Sequence, residues 1–597
     1  MTDAGLASVL PLAVVVPIVG AVASPLLARV SGRLTLAASL VAMTATTVLL
    51  ALPARTVYGG TLLGHVVGGG RPRHGALLQI SFTADPFGLT VAILTAGLGT
   101  ILLLATLSEL GGLGRGELGG YACLVQLLLA ALIGSALTSD LFNLFVWFEV
   151  AALASYGLTG FFLDRPPAVE AAFKVLVLTT MAGFAVFLGV AFLYGGHGAL
   201  NFGQLHDSGL DAARTSDSVA LGLLICGFGT KAGWVPFHGW LADAHTAAPG
   251  PVSALFSGLM VNVGVVAVAR LTLQVYGSAS IPLHDVLLVL GATSALLGAW
   301  LALGQDDLKR LLAYDTVSQM GILAIGLGTA TAPALAGTTY HLVNHALFKS
   351  LLFLCAGSIV HVTGLTRLSD LGGLARRRPE LAVAFVVGVL AIAGVPPLNG
   401  YASLGLIHDE LRTGRPALFV VVVVAQVVTV AALSRAAYLV FFRRRPEAYE
   451  RLAGRRPGML AALLLLSGGC VAFGILPGLV LDHVVSPAAA ALLHPQQYAV
   501  TALHGGAHAA PASTPISFDY LSAAELFTTL GTVLAGLALA WWYVRRPEPL
   551  LMRVARAVHT GSVNDYAGYA VLGTVVTVTA LVLDCRVRAA SSGPVAG

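Results

Sequence analysis

Residues 228–256 read FGTKAGWVPFHGWLADAHTAAPGPVSALF. The stretch sets Lys231 between apolar runs and interrupts the following helix with Pro236. An ammonium group in such a setting is ordinary in a soluble core loop and exceptional in a membrane, so the surroundings decide what it means. Of the 597 residues, 57% are hydrophobic and only 10% charged, with a mean hydropathy of +0.86, whereas a soluble chain is typically about a quarter charged. Apolar windows of about 20 residues, long enough to cross a bilayer as helix, recur sixteen times: near 5–27, 33–53, 86–108, 119–138, 141–163, 169–194, 217–235, 252–275, 281–304, 311–331, 335–363, 381–404, 416–442, 458–482, 522–544 and 565–584. The expected fold is an all-α polytopic membrane protein, embedded in the lipid bilayer of the cell membrane.

The basic residues orient it. Loops after odd-numbered helices hold more than twice as many Lys and Arg as the opposite loops, which carry Arg55, Arg71, Arg73, Arg214, Arg412, Arg415, Arg586 and Arg588. By the positive-inside rule the odd loops are cytoplasmic and both termini face outward. Residues 1–30 lack a basic leader and a cleavage site, so they read as a retained first helix. The pI near 9.0 then reflects topology. The arginine clusters lie in short loops without stacking aromatics, and nucleic acid is not an expected partner.

The chain has four lysines, Lys174, Lys231, Lys309 and Lys349, and all but Lys309 fall inside apolar spans, whereas the arginines stay in loops apart from Arg270 and Arg435. Those two lie near helix ends, where a long side chain can snorkel. Lysine can shed its proton when desolvated and arginine essentially cannot, so the partition suggests proton chemistry. Glu149, in DLFNLFVWFEV (140–150), reads as the acid deep in an apolar span. An ionised carboxylate there needs a cation, and Lys231 or Lys174 is the expected partner. At about 4 Å and an effective dielectric near 20 the attraction is roughly 4 kcal/mol, enough to switch a lysine between holding and releasing a proton. Asp315 reads as a solvated helix end.

Pro236 cannot donate to the carbonyl of Ala232, and free backbone at membrane depth is tolerated where it lines a polar cavity. Pro396 and Pro397 repeat the break in LAIAGVPPLNGYASLGLIHDEL (390–411). Paired breaks in two halves point to a transport site. Helices 4–8 (119–275) and helices 9–13 (276–445) each put a lysine in the third helix and the break in the fourth, and five being odd, the second unit is expected to be inverted. Residues 1–118 precede them, and 446–597 follow with a polar outer linker at 483–521. In helix 11, His341, His345 and Lys349 step by four along one face, an arc of roughly 80°, as a proton relay would.

Together, DLFNLFVWFEV, AAFKVLVLTT, GTKAGWVPFHGWLADAHTAAPGPVSALFSGLM, KRLLAYDTVSQMGILAIGLG, HLVNHALFKSLLFLCAGSIVHVTG and GVPPLNGY resemble the antiporter-like proton-conducting subunits shared by respiratory complex I, hydrogenase 4 type membrane hydrogenases and Mrp sodium/proton antiporters. The resemblance spans about residues 80–445. It implies a 14-helix core with two inverted five-helix repeats, broken helices 7 and 12, and half-channels at the breaks. It assigns Glu149 and Lys231 to the family's charge pair, Lys174 to its neighbouring lysine, and His341, His345 and Lys349 to its central relay. His238, Asn262 and His408 are candidate accessory groups. Two positions depart from it. Helix 8 carries Asn262 where a lysine is common, and helix 12 carries Leu404 where a lysine or glutamate is common, with His408, Asp409 and Glu410 following toward the outer end.

The expected function is therefore proton or monovalent cation translocation within a multisubunit, respiratory-type membrane complex. The alternatives are a structural subunit of such a complex, or a free-standing solute carrier. No catalytic motif is apparent, and any quinone or redox cofactor is expected in partner subunits. The cysteines are scattered singly. His494, His504 and His508 in the outer linker read as solvated, and no metal site is assigned. Helices 15 and 16 read as a C-terminal extension whose connection, 545–564, is too short for a long lateral helix.

Overall fold

The computed structural model describes residues 2–68, 79–109, 113–211, 214–277, 281–444, 454–513, 515–545 and 561–591. Among them, fifteen helices are long and apolar enough to cross a membrane. The remaining expected span, helix 12, is divided into Pro379–Ile392 and Gly400–Gly414, each too short to cross alone. Every expected span thus has its helix, and the chain is an all-α polytopic membrane protein. The segment 545–564 falls largely outside the described residues.

The two breaks share one construction, and glycine rather than proline makes it. Helix 7 runs Thr215–Ala232 and ends where Gly233 turns left-handed at φ 75°. The N–H of Trp234 then reaches back to Gly229 O (3.0 Å), and that of Gly233 to Thr230 O (3.1 Å), the doubled closure of a Schellman end. In helix 12 the same roles fall to Gly394 (φ 70°), Val395 N to Leu390 O (3.0 Å), and Gly394 N to Ala391 O (3.1 Å). Pro236, Pro396 and Pro397 follow and prevent resumption. After the first break the chain makes a short turn of 3-10 helix, Phe237–Trp240, and a helical segment, Leu241–Ala247.

Two faces bound the bundle. On one, strands β1 (Thr61–Val66), β2 (Ser81–Ala84) and β3 (Gly506–Ala509) form an antiparallel sheet of order β2-β1-β3. Leu63 lies opposite both Ala84 and Ala507. This corrects the reading of 483–521 as a polar linker: Ser486–Leu493 and Pro495–His504 are helical, with Ala488, Ala489, Leu492 and Tyr498 buried. Alanine-rich helices bury small faces that a composition count scores as loop. His494 and His504 are exposed, and His508 Nε2 sits 2.9 Å from Gly505 O. The opposite, basic face gathers the arginine loops. There Arg435 donates to Leu303 O (3.0 Å) and Gln305 O (2.9 Å) at the end of helix 9, and Arg443 to Leu368 O (3.0 Å) and Ser369 O (2.7 Å) in the loop after helix 11.

Arg270 does not snorkel. It is 1% exposed and grips Asp85, at the start of helix 3 (Pro86–Glu109), with both guanidinium arms. Its Nη1 also meets Gln274 Oε1, and its charge lies over the Tyr498 ring at 4.6 Å. A guanidinium held bidentately by a carboxylate can be buried where an unpaired one cannot, and here it joins helices 3 and 8 to the 495–504 helix. The C-terminal helices close the two breaks from outside. Helix 15 (Ala523–Arg545) lies on helices 12 and 13, and helix 16 (Val563–Ser591) lies on helix 7, where Gly573 leaves no room for a Cβ beside Pro236.

Candidate functional site

Lys231 occupies the last turn of helix 7 before the Gly233 break and is 0% exposed. Its Nζ has no hydrogen-bond partner and lies 5.1 Å from the Phe148 ring centroid. Two features favour an ammonium there: the negative end of the helix dipole and an aromatic face. Helix 8 presses on the same place, since a Cβ at Gly264 would come within 2.5 Å of Ala232 N and Phe228 O. Asn262, two residues earlier, donates to Gly258 O at 2.8 Å, and its Oδ1 has no partner.

Glu149 is on helix 5 (Leu141–Thr159). Its carboxylate rests against bare Gly183 of helix 6 (Pro166–His197), where any Cβ would collide with Oε1. That oxygen also lacks a hydrogen-bond partner. Glu149 and Lys231 feel each other's charge without forming an ion pair. The expected direct contact is not formed, and each group keeps an atom without a hydrogen-bond partner. On its other side Glu149 opens into a groove of about 300 Å³ lined by Phe142, Phe145, Phe184 and Phe187.

Lys174 is not the partner of Glu149. It bonds Glu170 (2.7 Å), four residues back, and Asp243 (3.1 Å) in the segment after the break. Asp243 also takes Arg310 Nη1 at 3.3 Å. The sequence reading missed Asp243 because its segment returns toward helix 6 only through the break. His238 lies in the 3-10 turn, buried, with its ring edge toward Tyr314.

In the second half the helix 11 face forms as expected, and its partners do not. Lys349 is fully buried and forms an ion pair with Asp315 of helix 10 (Leu308–Thr329). Its Nζ also donates to Leu312 O (3.1 Å), and Thr429 of helix 13 donates to the other Asp315 oxygen at 3.1 Å. Asp315 is 0% exposed, which overturns its reading as a solvated helix end: helix 10 is enclosed on every side, so its second turn is already interior. Glu149, half-buried, is accordingly not the sole interior acid, since Asp85 and Asp315 are fully buried. His345 is 0% exposed with neither ring nitrogen partnered. His341 Nδ1 lies 3.1 Å from Ser403 Oγ and Nε2 3.0 Å from Gln319 Oε1. Both partners can accept, which suits an imidazolium, and turning over the Gln319 amide suits a neutral ring.

Three further groups gain partners or surroundings that the sequence did not indicate. His245 is 0% exposed, stacked on Phe353 at 4.5 Å, with both ring nitrogens unpartnered. It feels the charges of Lys309 and Lys349. Lys309, read as a loop cation, is buried and donates to Ala248 O (2.8 Å) and Ser253 Oγ (3.3 Å). His408 of helix 12 bonds Glu525 of helix 15 at 2.8 Å. Lys349 is paired, whereas Glu149, Lys231, Asn262, His345 and His408 each carry at least one buried side-chain atom without a hydrogen-bond partner. Such atoms are usually met by ordered water.

A family model described as NADH:quinone oxidoreductase/Mrp antiporter, TM matches residues 138–429, which hold all of these groups except Glu525. The NADH-quinone oxidoreductase subunit N of Desulforudis audaxviator is 33% identical over 496 residues, covering 79% of this chain and 97% of its own length. The putative antiporter subunit mnhD2 of Staphylococcus aureus is 31% identical over 411 residues, covering 66% and 79% respectively. A chain in the structure of the Mrp complex from Dietzia sp. superposes with a TM-score of 0.75 at 28% identity, over 84% of this chain and 100% of that one. The chain belongs to the NADH:quinone oxidoreductase/Mrp antiporter transmembrane family.

Proposed function

We propose that this chain moves protons, or a monovalent cation in exchange for protons, as one membrane subunit of a multisubunit respiratory-type or antiporter complex. The observation that carries the reading is Lys231, fully buried and without a hydrogen-bond partner at the Gly233 break, with half-buried Glu149, equally unpartnered at Oε1, within its electrostatic reach. A buried charge without a partner costs several kcal/mol and persists where its change of state is used. Water beside Lys231 links it to Asn262 and onward to His345, while Lys174, Glu170 and Asp243 hold protons at the basic-face end of the first half. His341, His345 and Lys349 relay in the centre. The two matching glycine breaks support an inverted repeat with a half-channel at each.

In this reading the basic face is cytoplasmic and both termini are outside. The phenylalanine groove beside Glu149 faces a neighbouring subunit, so that the line of charges continues into the next chain. Redox groups or quinone, where the complex uses them, sit in partner subunits. A second reading, a structural subunit, is favoured by two observations: Lys349 is already neutralised by Asp315, and position 404 is a buried leucine packed into the helix 12 break. Dye quenching in everted vesicles separates them. With Lys231→Ala at verified equal assembly, quenching collapses if the chain conducts and is unchanged if it is structural.

A further inference from the structure

The second half contains a polar route that leaves the family's matched region. His341 hands to Ser403 Oγ, which donates in turn to Gly400 O at 3.2 Å, at the first turn of the helix 12 segment beyond the break. His408 lies on the same segment, 4% exposed, and is within electrostatic reach of His341. Its Nε2 has no partner, while its Nδ1 bonds Glu525 Oε1 at 2.8 Å. Glu525 is 1% exposed, and its second oxygen takes Arg412 Nη2 at 3.2 Å. Arg412 also bonds Asp409 at 2.6 Å, and Asp409 is 45% exposed at the sheet face.

The docking of helix 15 is built for this contact. Gly405 leaves no room for a Cβ against Phe518, and one would lie 3.3 Å from Glu525 Cγ. Tyr401 donates to Tyr520 O at 3.1 Å and packs on Phe518 and Tyr520. The carboxylate is therefore delivered to His408 by a helix outside the 14-helix core.

We propose that Glu525 is the proton-release group of the second half, receiving protons from His408 and passing them to Asp409 and water at the sheet face. This rests on the reading that the chain conducts. In one turn a proton binds His408 Nε2 from the His341 side, the Nδ1 proton passes to the Glu525 carboxylate, and the carboxylic acid loses it to Asp409 or water. The imidazole is left protonated on Nε2, and a ring flip turns that N–H toward the exit side and the bare Nδ1 toward the His341 side for the next turn, so one proton enters, one leaves, and no charge accumulates.

The test is proton transport by the assembled complex in everted vesicles, comparing wild type, Glu525→Ala, Glu525→Gln and Lys231→Ala, each with and without added formate. Loss of a positioned proton-transfer group slows transfer on the order of a hundredfold, so Glu525→Ala and Glu525→Gln transport at roughly 1% of wild type. Formate, a small diffusible acid, restores Glu525→Ala and leaves Lys231→Ala dead. Normal transport in both Glu525 variants beside a dead Lys231→Ala overturns the proposal and leaves the conduction reading standing. A slow Glu525→Ala that formate does not restore, or failure of both variants to assemble, makes the contact a structural clasp and also overturns it. Normal transport in Lys231→Ala removes the conduction reading itself.

Discussion

The two halves break a helix in the same way, but only the first keeps an unpartnered lysine, Lys231, at its break. At the first break Lys231 and Glu149 face each other without a hydrogen bond between them. In the second half Lys349, on the helix before the break, is locked to Asp315, with Leu312 and Thr429 completing the shell, much as Lys174 of the first half is held by Glu170 and Asp243. The same residue type is thus poised at Lys231 and satisfied at Lys174 and Lys349. A satisfied pair resists change because separating it exposes both charges to low dielectric. The difference teaches that the backbone break makes a site available, and that the partners on adjoining helices decide whether the charge in it can move.

The largest expected effect is on the satisfied side. Removing one partner with Asp315→Leu strands a buried ammonium and costs roughly 3–5 kcal/mol, so the assembled complex accumulates poorly and melts early. Adding Lys349→Leu to it recovers most of that loss. Lys231→Met, by contrast, deletes an unpaired charge and leaves the melting temperature unchanged or higher; a Lys231→Met complex as unstable as Asp315→Leu would erase the distinction between the halves.

Next in size are the breaks. Gly233→Ala and Gly394→Ala force alanine into left-handed backbone at about 1–2 kcal/mol each, with Leu241 and Leu404 Cδ1 at 3.1 Å from the new methyls. Thermal melting should show similar losses from both, and unequal losses would argue against a common construction. The smallest effect falls on Glu170→Gln. The Glu170 side chain is 65% exposed, and an ion pair of that kind contributes about 0–1 kcal/mol. Melting should barely move while Asp243 still holds Lys174.

What could be read from sequence divides along the same line. The sixteen spans and both breaks are local properties of hydrophobic length and of glycine and proline, and they stand where expected. The spacing of His341, His345 and Lys349 is also local, and these residues do share a buried face. Partners are not local. Asp315 and Lys349 lie at similar distances from the turn at Ala330 that joins helices 10 and 11, so a hairpin register argument could have paired them. Nothing in the sequence places Asp243 beside Lys174, since that contact depends on how the chain returns after the break. Glu525 meets His408 only because helix 15 docks on helix 12. Arg270 misled for a related reason: a cation near a helix end snorkels only if no buried acid such as Asp85 is brought to it.

The most direct test is proton uptake into proteoliposomes of the assembled complex under an imposed potassium diffusion potential, wild type against Glu149→Gln. This substitution removes a charge with almost no change of volume, beside a glycine that tolerates nothing larger. If the unpaired Glu149 and Lys231 form the ion path, uptake falls on the order of a hundredfold at equal assembly. Uptake equal to wild type would contradict that claim.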